Sequence, residues 1–168
     1  LRRKADRLTK TQIHTRRIQL LIRDMKFTLT SKKLGVGLAA PQVGESLSLS
    51  VISIHPTKHR PEVEEFDLVI INPKITKYIG KRTQMWEGCL SGGKSGLFGK
   101  VPRYKKVELQ YLDKAGAKHC RIFEGLQAQV VQHEVDHLDG ILFVDRVKDT
   151  KTFMTLKEYK KQIVSSRK

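Results

Sequence analysis

His133 and His137 stand four residues apart, and Glu134 follows the first of them. On a helix, such a pair lies on one face a turn apart, so two imidazoles there can grip one metal ion. Glu134, one position on, falls at the edge of that face, within reach of a water that the metal activates. No proline interrupts Gly125 to Val131 and Gly140 is a natural stop, so a helix over about Glu124–Leu138 is expected. The bland reading of these residues is a solvated polar helix face; two ligand histidines with a carboxylate between them favour metal chemistry instead.

A catalytic metal takes about three protein ligands and keeps one position open. Two histidines leave one ligand to find among Cys89, Cys120, the acids, His14, His55, His59 and His119. Cys89 stands out because Gly88 precedes it and a polar, glycine-rich stretch follows, which lets its thiolate sit at a strand end, with an ordinary buried thiol as the equal alternative. Cys120 lies mid-strand among alternating residues and reads as an ordinary buried thiol, the fate of many cysteines. Asp136 is a candidate acceptor for a ligand histidine, with a helix-surface acid as the equal alternative. Arg103 is a candidate partner for Glu87.

The elements that must position these residues follow from periodicity. Ile18, Leu21, Ile22, Met25 and Leu29 recur at helical spacing from an N-cap at Thr11 to about Ser31. Leu1 to Lys10 reads as a basic arm or short turn. Leu47–Ile54 alternates as a strand with one buried face, and His55–Asp67 reads as a loop. Leu68–Ile71 and Ile75–Ile79 read as short strands broken at Asn72-Pro73. Gly92–Gly99 reads as a loop, Val107–Leu112 and Lys118–Phe123 as a hairpin feeding the histidine helix. A last helix starts at Asp149 or Thr150, with Phe153, Leu156 and Ile163 facing in. Strands around one motif helix, with helices at both ends, define an α+β fold: small mixed or antiparallel sheets around a central metal-binding helix.

At 168 residues the chain reads as one domain over 1–168. No apolar run approaches the ~18 residues of a membrane span, and no signal-peptide core is visible. Two cysteines make no disulfide framework, which suits a reducing compartment. The net charge of +16 is uneven: residues 1–33 carry +9, residues 146–168 carry +6 and the stretch between them +1. Such basic ends attract polyanions such as RNA, solvated lysines being the alternative. Gly35–Gly44 lacks the Gly-Lys-Ser/Thr ending of a phosphate loop, so nucleotide binding is not expected.

Three segments carry a family resemblance. Gly35-Val36-Gly37-Leu38-Ala39-Ala40-Pro41-Gln42, Glu87-Gly88-Cys89-Leu90-Ser91 and Gln132-His133-Glu134-Val135-Asp136-His137 resemble the three signature motifs of peptide deformylase, in order and spacing. The resemblance implies that Cys89, His133 and His137 bind one divalent metal, natively Fe²⁺, with Zn²⁺, Ni²⁺ or Co²⁺ as substitutes. It implies that Glu134 takes a proton from the activated water and later delivers one to the leaving amine. Gln42 and the Leu90 backbone N–H would stabilise the oxyanion. Gly35, Val36, Gly37 and Gly88 would pair with the substrate as an added strand, and Val36, Met85, Leu126, Gln129 and Val130 would line a methionine pocket. The implied reaction removes formate from the formylmethionine of a nascent polypeptide.

The chain departs from the family pattern at Gly92-Gly93, where an aliphatic residue and proline are usual, and at Gln129, where an apolar residue is usual. Gln129 is expected at the pocket mouth, hydrated. Implied partners are the nascent formylated chain and a ribosomal surface met through the basic ends, with no membrane and a monomeric enzyme. The implied compartment is a bacterial cytoplasm; the arginine-rich start also suits an organelle. Two rival readings stay open: a metallopeptidase with an acidic third ligand, and a catalytically silent ribosome-binding relative.

Overall fold

A computed structural model describes residues 1–32, 35–57, 61–93 and 96–165. Two helices open the chain, α1 (Lys10–Ile13) and α2 (Arg16–Ser31), where one helix from Thr11 was expected. Threonine side chains cause the split. Thr9 caps α1 by accepting from the N–H of Gln12, and Thr15 caps α2 by accepting from that of Ile18.

One antiparallel sheet follows in the order β1 (Gly37–Ala39), β2 (Leu49–Ile54), β3 (Phe66–Gly88), β4 (Leu97–Leu112), β5 (Lys118–Glu124), with β6 (Met154–Thr155) paired to β4. The expected one-sided burial of the second strand does not hold, because helices cover both faces. Leu49 and Val51 pack with Ile18, Ile22, Met25 and Leu29 of α2. Ile52 and Ile54 turn the other way, into a cluster with Val107, Leu109, Phe123, Ala128 and Val131. Ala128 and Val131 lie on α3 (Gly125–Leu138), the motif helix expected over about Glu124–Leu138, with Glu124 at its N-cap.

The two short strands around Asn72-Pro73 are parts of the single long β3. Pro73 cannot donate to a ladder, and the chain absorbs the pair as a bulge between Ile71 and Lys74 rather than stopping. Asn72 adopts the left-handed conformation there, φ 52°, open to asparagine more readily than to most residues. That turn aims its buried amide at the N-terminal segment: Asn72 Nδ2 donates to Leu8 O at 2.7 Å, and Asn72 Oδ1 accepts from Leu8 N–H at 2.9 Å.

Residues 1–8 are therefore no arm. Ala5 N–H donates to Leu138 O and Asp6 N–H to Ser46 O, both at 2.8 Å, and Ala5 and Leu8 are buried. Arg2 pairs with Asp145, and Lys4 with Asp139. At the other end, Asp149 caps only the short turn Thr150–Thr152; the chain then forms β6, and Thr155 caps α4 (Leu156–Tyr159), whose helical path continues through Lys160–Val164. The β6 pairing explains the delay: Met154 and Thr155 align with Phe98 and Leu97 at the start of β4. That strand begins at Leu97, so the expected loop over Gly92–Gly99 is shorter, and Lys94 and Ser95 within it lie outside the described residues.

Replacing Asn72 with alanine strips both partners from the Leu8 backbone and places a Cβ-bearing residue without a polar side chain at positive φ. The expected loss of stability is about 2–4 kcal/mol. Urea unfolding of Asn72→Ala beside wild type measures it; a difference below about 1 kcal/mol would show that water replaces the amide without cost.

Candidate metal centre

Cys89 follows the last residue of β3, and His133 and His137 stand one turn apart on α3. Their ligand atoms all lie within 4.8 Å of one another, the spacing of donors around a single ion. Cys89 Sγ is 3.2 Å from His137 Nε2. His133 turns its other nitrogen, Nδ1, to Glu87 Oε2 at 3.1 Å, leaving Nε2 for the centre. One soft thiolate and two imidazoles suit a divalent transition metal, and three ligands leave a position open. The remaining histidines and cysteine are elsewhere. His119 bonds Asp113 at 2.7 Å and His55 bonds Ser53 at 2.8 Å. His59 lies outside the described residues. Cys120 is exposed, not buried, because β5 forms the end of the main strand order and turns this face outward.

Burial alone would push the Cys89 thiol up; hydrogen bonds from His133 and His137 outweigh it and hold it at about 5, so the sulfur is a thiolate at neutral pH. Glu134 is 2% exposed, and burial raises its carboxyl to about 7 against the pull of His133 and His137. Its Oε2 has no hydrogen-bond partner among the described residues. The backbone comes very close: a Cβ on Gly37 would stand 2.2 Å from Glu134 Oε1, so a side chain there would displace the Glu134 carboxyl.

Gln42 sits in the turn Ala40–Val43 after β1. Its Oε1 accepts from Ala39 N–H at 2.8 Å, which points Nε2 towards Cys89 Sγ (3.5 Å) and Ser91 Oγ (3.1 Å). Leu90 is 40% exposed beside Gly35, and a Cβ on that glycine would meet Leu90 Cδ1 at 3.0 Å. Val36 and Leu126 flank the core cluster beneath α3, and Val130 is buried within it. Met85 is half-buried on β3 opposite Val101. Gln129 is not left to water, as its amide donates to Trp86 O at 2.8 Å.

The histidine-orienting carboxylate is Glu87, not Asp136. Arg103, the expected partner of Glu87, donates to it from Nε at 2.8 Å and Nη2 at 3.0 Å, and its Nη1 donates to Asp136 at 2.6 Å. Asp136 also accepts from Arg146 at 2.6 Å. Burial would raise the Glu87 carboxyl, but hydrogen bonds from His133 and Arg103 win and hold it at about 2. Sequence reasoning missed the links to His133 and from Arg146; the position of Glu87 two residues before a ligand was the available signal.

A strand-end thiolate and a helix bearing two histidines and a buried glutamate define a mononuclear metallohydrolase. The model of the polypeptide deformylase family matches residues 1–153. The chain is 38% identical over 157 residues to peptide deformylase 2 of Nostoc sp., covering 93% of this chain and 86% of that one. It is 41% identical over 157 residues to the peptide deformylase of Leptospira biflexa, covering 91% and 85%. Among solved structures, the Met-Ala-Ser-bound class I type b enzyme of Acinetobacter baumannii superposes with a TM-score of 0.80 at 33% identity, covering 87% of this chain and 91% of that chain. The actinonin complex of the Synechococcus elongatus enzyme gives 0.78 at 39% identity, covering 90% and 77%.

The chain belongs to the peptide deformylase family. It is an enzyme that removes the N-formyl group from the methionine that begins a polypeptide. Glu87→Gln removes the charge that fixes the His133 tautomer, so metal affinity is expected to fall 10- to 100-fold. Chelator competition on the two proteins measures the change, and equal affinities would mean that Glu87 serves only Arg103.

Proposed function

We propose that Glu134 carries the proton in deformylation, that Gln42 and the Leu90 backbone N–H hold the oxyanion, and that Cys89, His133 and His137 bind Fe²⁺, with Zn²⁺, Ni²⁺ or Co²⁺ able to replace it. The state of Glu134 carries this reading: a carboxyl enclosed beside the two histidines, with one oxygen unpartnered among the described residues and a value raised to about 7. A group so tuned both accepts and donates a proton near neutrality. When bound, the ion would acidify a water into the nucleophile and polarise the formyl carbonyl.

Glu134 takes the water proton and passes one to the departing amine nitrogen as the C–N bond breaks, so formate and a free amino terminus result. Gln42 Nε2 is a neutral donor whose direction is preset by the Ala39 contact. One such prealigned donor is worth about 3–4 kcal/mol to the transition state. β1 is an edge strand, so Gly35, Val36 and Gly37 can take the peptide as an added strand, with Gly88 on the other side. Val36, Met85, Leu126, Gln129 and Val130 form the methionine pocket. The A. baumannii structure contains Met-Ala-Ser, the product that formyl-Met-Ala-Ser would leave here.

Formate release from formyl-Met-Ala-Ser tests the assignment. Glu134→Gln keeps every ligand and is expected to retain metal while losing at least about 100-fold in turnover. More than about a tenth of wild-type turnover, with metal retained, would remove Glu134 from the proton path.

The same reading extends to where the substrate arises. The enzyme works as a monomer in a bacterial cytoplasm, as one catalytic unit over 1–168, and docks on ribosomal RNA through its basic C-terminal end. Lys157, Lys160 and Lys161 are placed there, whereas Arg2 and Lys4 of the N-terminal end are tied to Asp145 and Asp139. Changing the three lysines to glutamate is expected to lower ribosome co-sedimentation and its salt dependence with small-peptide turnover unchanged. Undiminished co-sedimentation would reject this face.

A further inference from the structure

Tyr159 belongs to a C-terminal segment that, among the described residues, supplies no group to the metal centre, yet it packs against the strand end that leads into Cys89. Its ring stacks on Phe98, with centroids 4.2 Å apart and planes 11° from parallel, and meets Trp86 edge-on at 5.7 Å. Phe98 lies opposite Gly88 in the β3–β4 ladder. The tip of the Phe98 ring takes the place of a Gly88 side chain, since a Cβ there would stand 2.6 Å from Phe98 Cζ. Gly88 directly precedes Cys89. Trp86, two residues earlier on the same face, is closed over by the Lys100 ammonium at 5.3 Å.

The far end of the Cys89 loop meets the same segment. Leu156 N–H donates to Gly96 O at 3.0 Å, and β6 pairs Met154 and Thr155 with Phe98 and Leu97. The C-terminal segment therefore holds Gly96 directly and backs Gly88 through Phe98. His133 and His137 need no such support, because α3 and Glu87 fix them. Along the backbone Cys89 is held by a local turn, Gly92 N–H to Cys89 O at 2.9 Å, while its sulfur accepts from Ser91 N–H at 3.4 Å and from Gln42 Nε2 at 3.5 Å and meets His137 Nε2 at 3.2 Å. Its place depends on what packs behind Gly88.

We propose that Tyr159 is a positioning residue for the Cys89 thiolate, acting through Phe98 and Trp86 on the Gly88–Cys89 strand end. The proposal rests on Cys89 being the third metal ligand. Losing the ring frees Phe98 to move, and Gly88, with no side chain of its own to anchor it, moves with it. The thiolate then samples positions away from the two imidazole nitrogens, and the bound ion is released sooner.

Cobalt-loaded protein tests this without reliance on turnover, because the thiolate-to-cobalt absorption band reports how the sulfur is held. Tyr159→Ala is expected to shift or weaken that band and to speed metal loss to a chelator about tenfold. Tyr159→Phe, which keeps the ring, is expected to behave as wild type. Ile18→Ala, a truncation in the core under α2, controls for general loosening; it is expected to lower the unfolding temperature and leave the band alone. A wild-type band and release rate in Tyr159→Ala overturns the proposal. So does an equal change in Ile18→Ala, or a failure of Tyr159→Phe to restore both readouts. Cys89→Ser separates the premise: if it keeps the band, Cys89 is not the ligand and the reading beneath the proposal fails first.

Discussion

Arg103 projects from β4 into the gap between β3 and α3 and donates to a carboxylate on each, Glu87 and Asp136. It is 4% exposed, and Glu87 is 5% exposed. Glu87 in turn accepts from His133, and Asp136 from Arg146 beyond the end of α3. Two strands and the motif helix are thus tied by one line of alternating charges that ends on a metal ligand. The planar fork of a guanidinium can serve two acceptors in fixed directions, which a lysine ammonium cannot.

The gain from this line is positional. Two carboxylates and two guanidiniums balance in charge, yet drawing them out of water costs about as much as their mutual attraction returns, so a buried pair of this kind adds little stability. What it provides is a permanent anion behind His133. Glu87 is held at about 2, so it stays ionised at any pH the protein meets and the Nδ1 proton of His133 keeps its acceptor. The imidazole then presents Nε2 forward. Removing Arg103 would leave both Glu87 and Asp136 short of a cation, and their relaxation by protonation or rotation would disturb His133 as well.

The chemistry-bearing residues were legible because their types and spacing are the chemistry. His133, Glu134 and His137 needed only helical geometry, and α3 runs where that geometry required. Elements governed by distant partners were not legible. Asn72-Pro73 carries every local sign of a break, but β3 continues through it because Leu8, 64 residues away, engages the asparagine. Ser50 marks β2 as half-polar, yet it is buried once α2 and α3 cover the two faces of the strand. Cys120 alternates like a buried residue but lies on a strand at the end of the sheet, and strand order is not written in periodicity. Asp136 stands next to a histidine in the chain, which suggests an acceptor role that space does not grant; Arg103 and Arg146 claim it instead.

Gly37 joins the two halves of the proposed reaction. Its Cα lies so near Glu134 that a side chain at 37 would collide with Oε1 at 2.2 Å. The edge strand proposed to take the peptide therefore passes close beside the carboxyl proposed to move the proton. A peptide paired to β1 would have its position along the strand set by main-chain hydrogen bonds, and that register alone would bring its formyl end to Glu134. Only one substrate side chain would then have to be read, in the proposed pocket beside Leu126 and Val36. Main-chain pairing is indifferent to the side chains further along the peptide. That indifference is the property an enzyme acting on many different new polypeptides requires, and the absence of a side chain at Gly37 leaves the Glu134 carboxyl in place beside the strand.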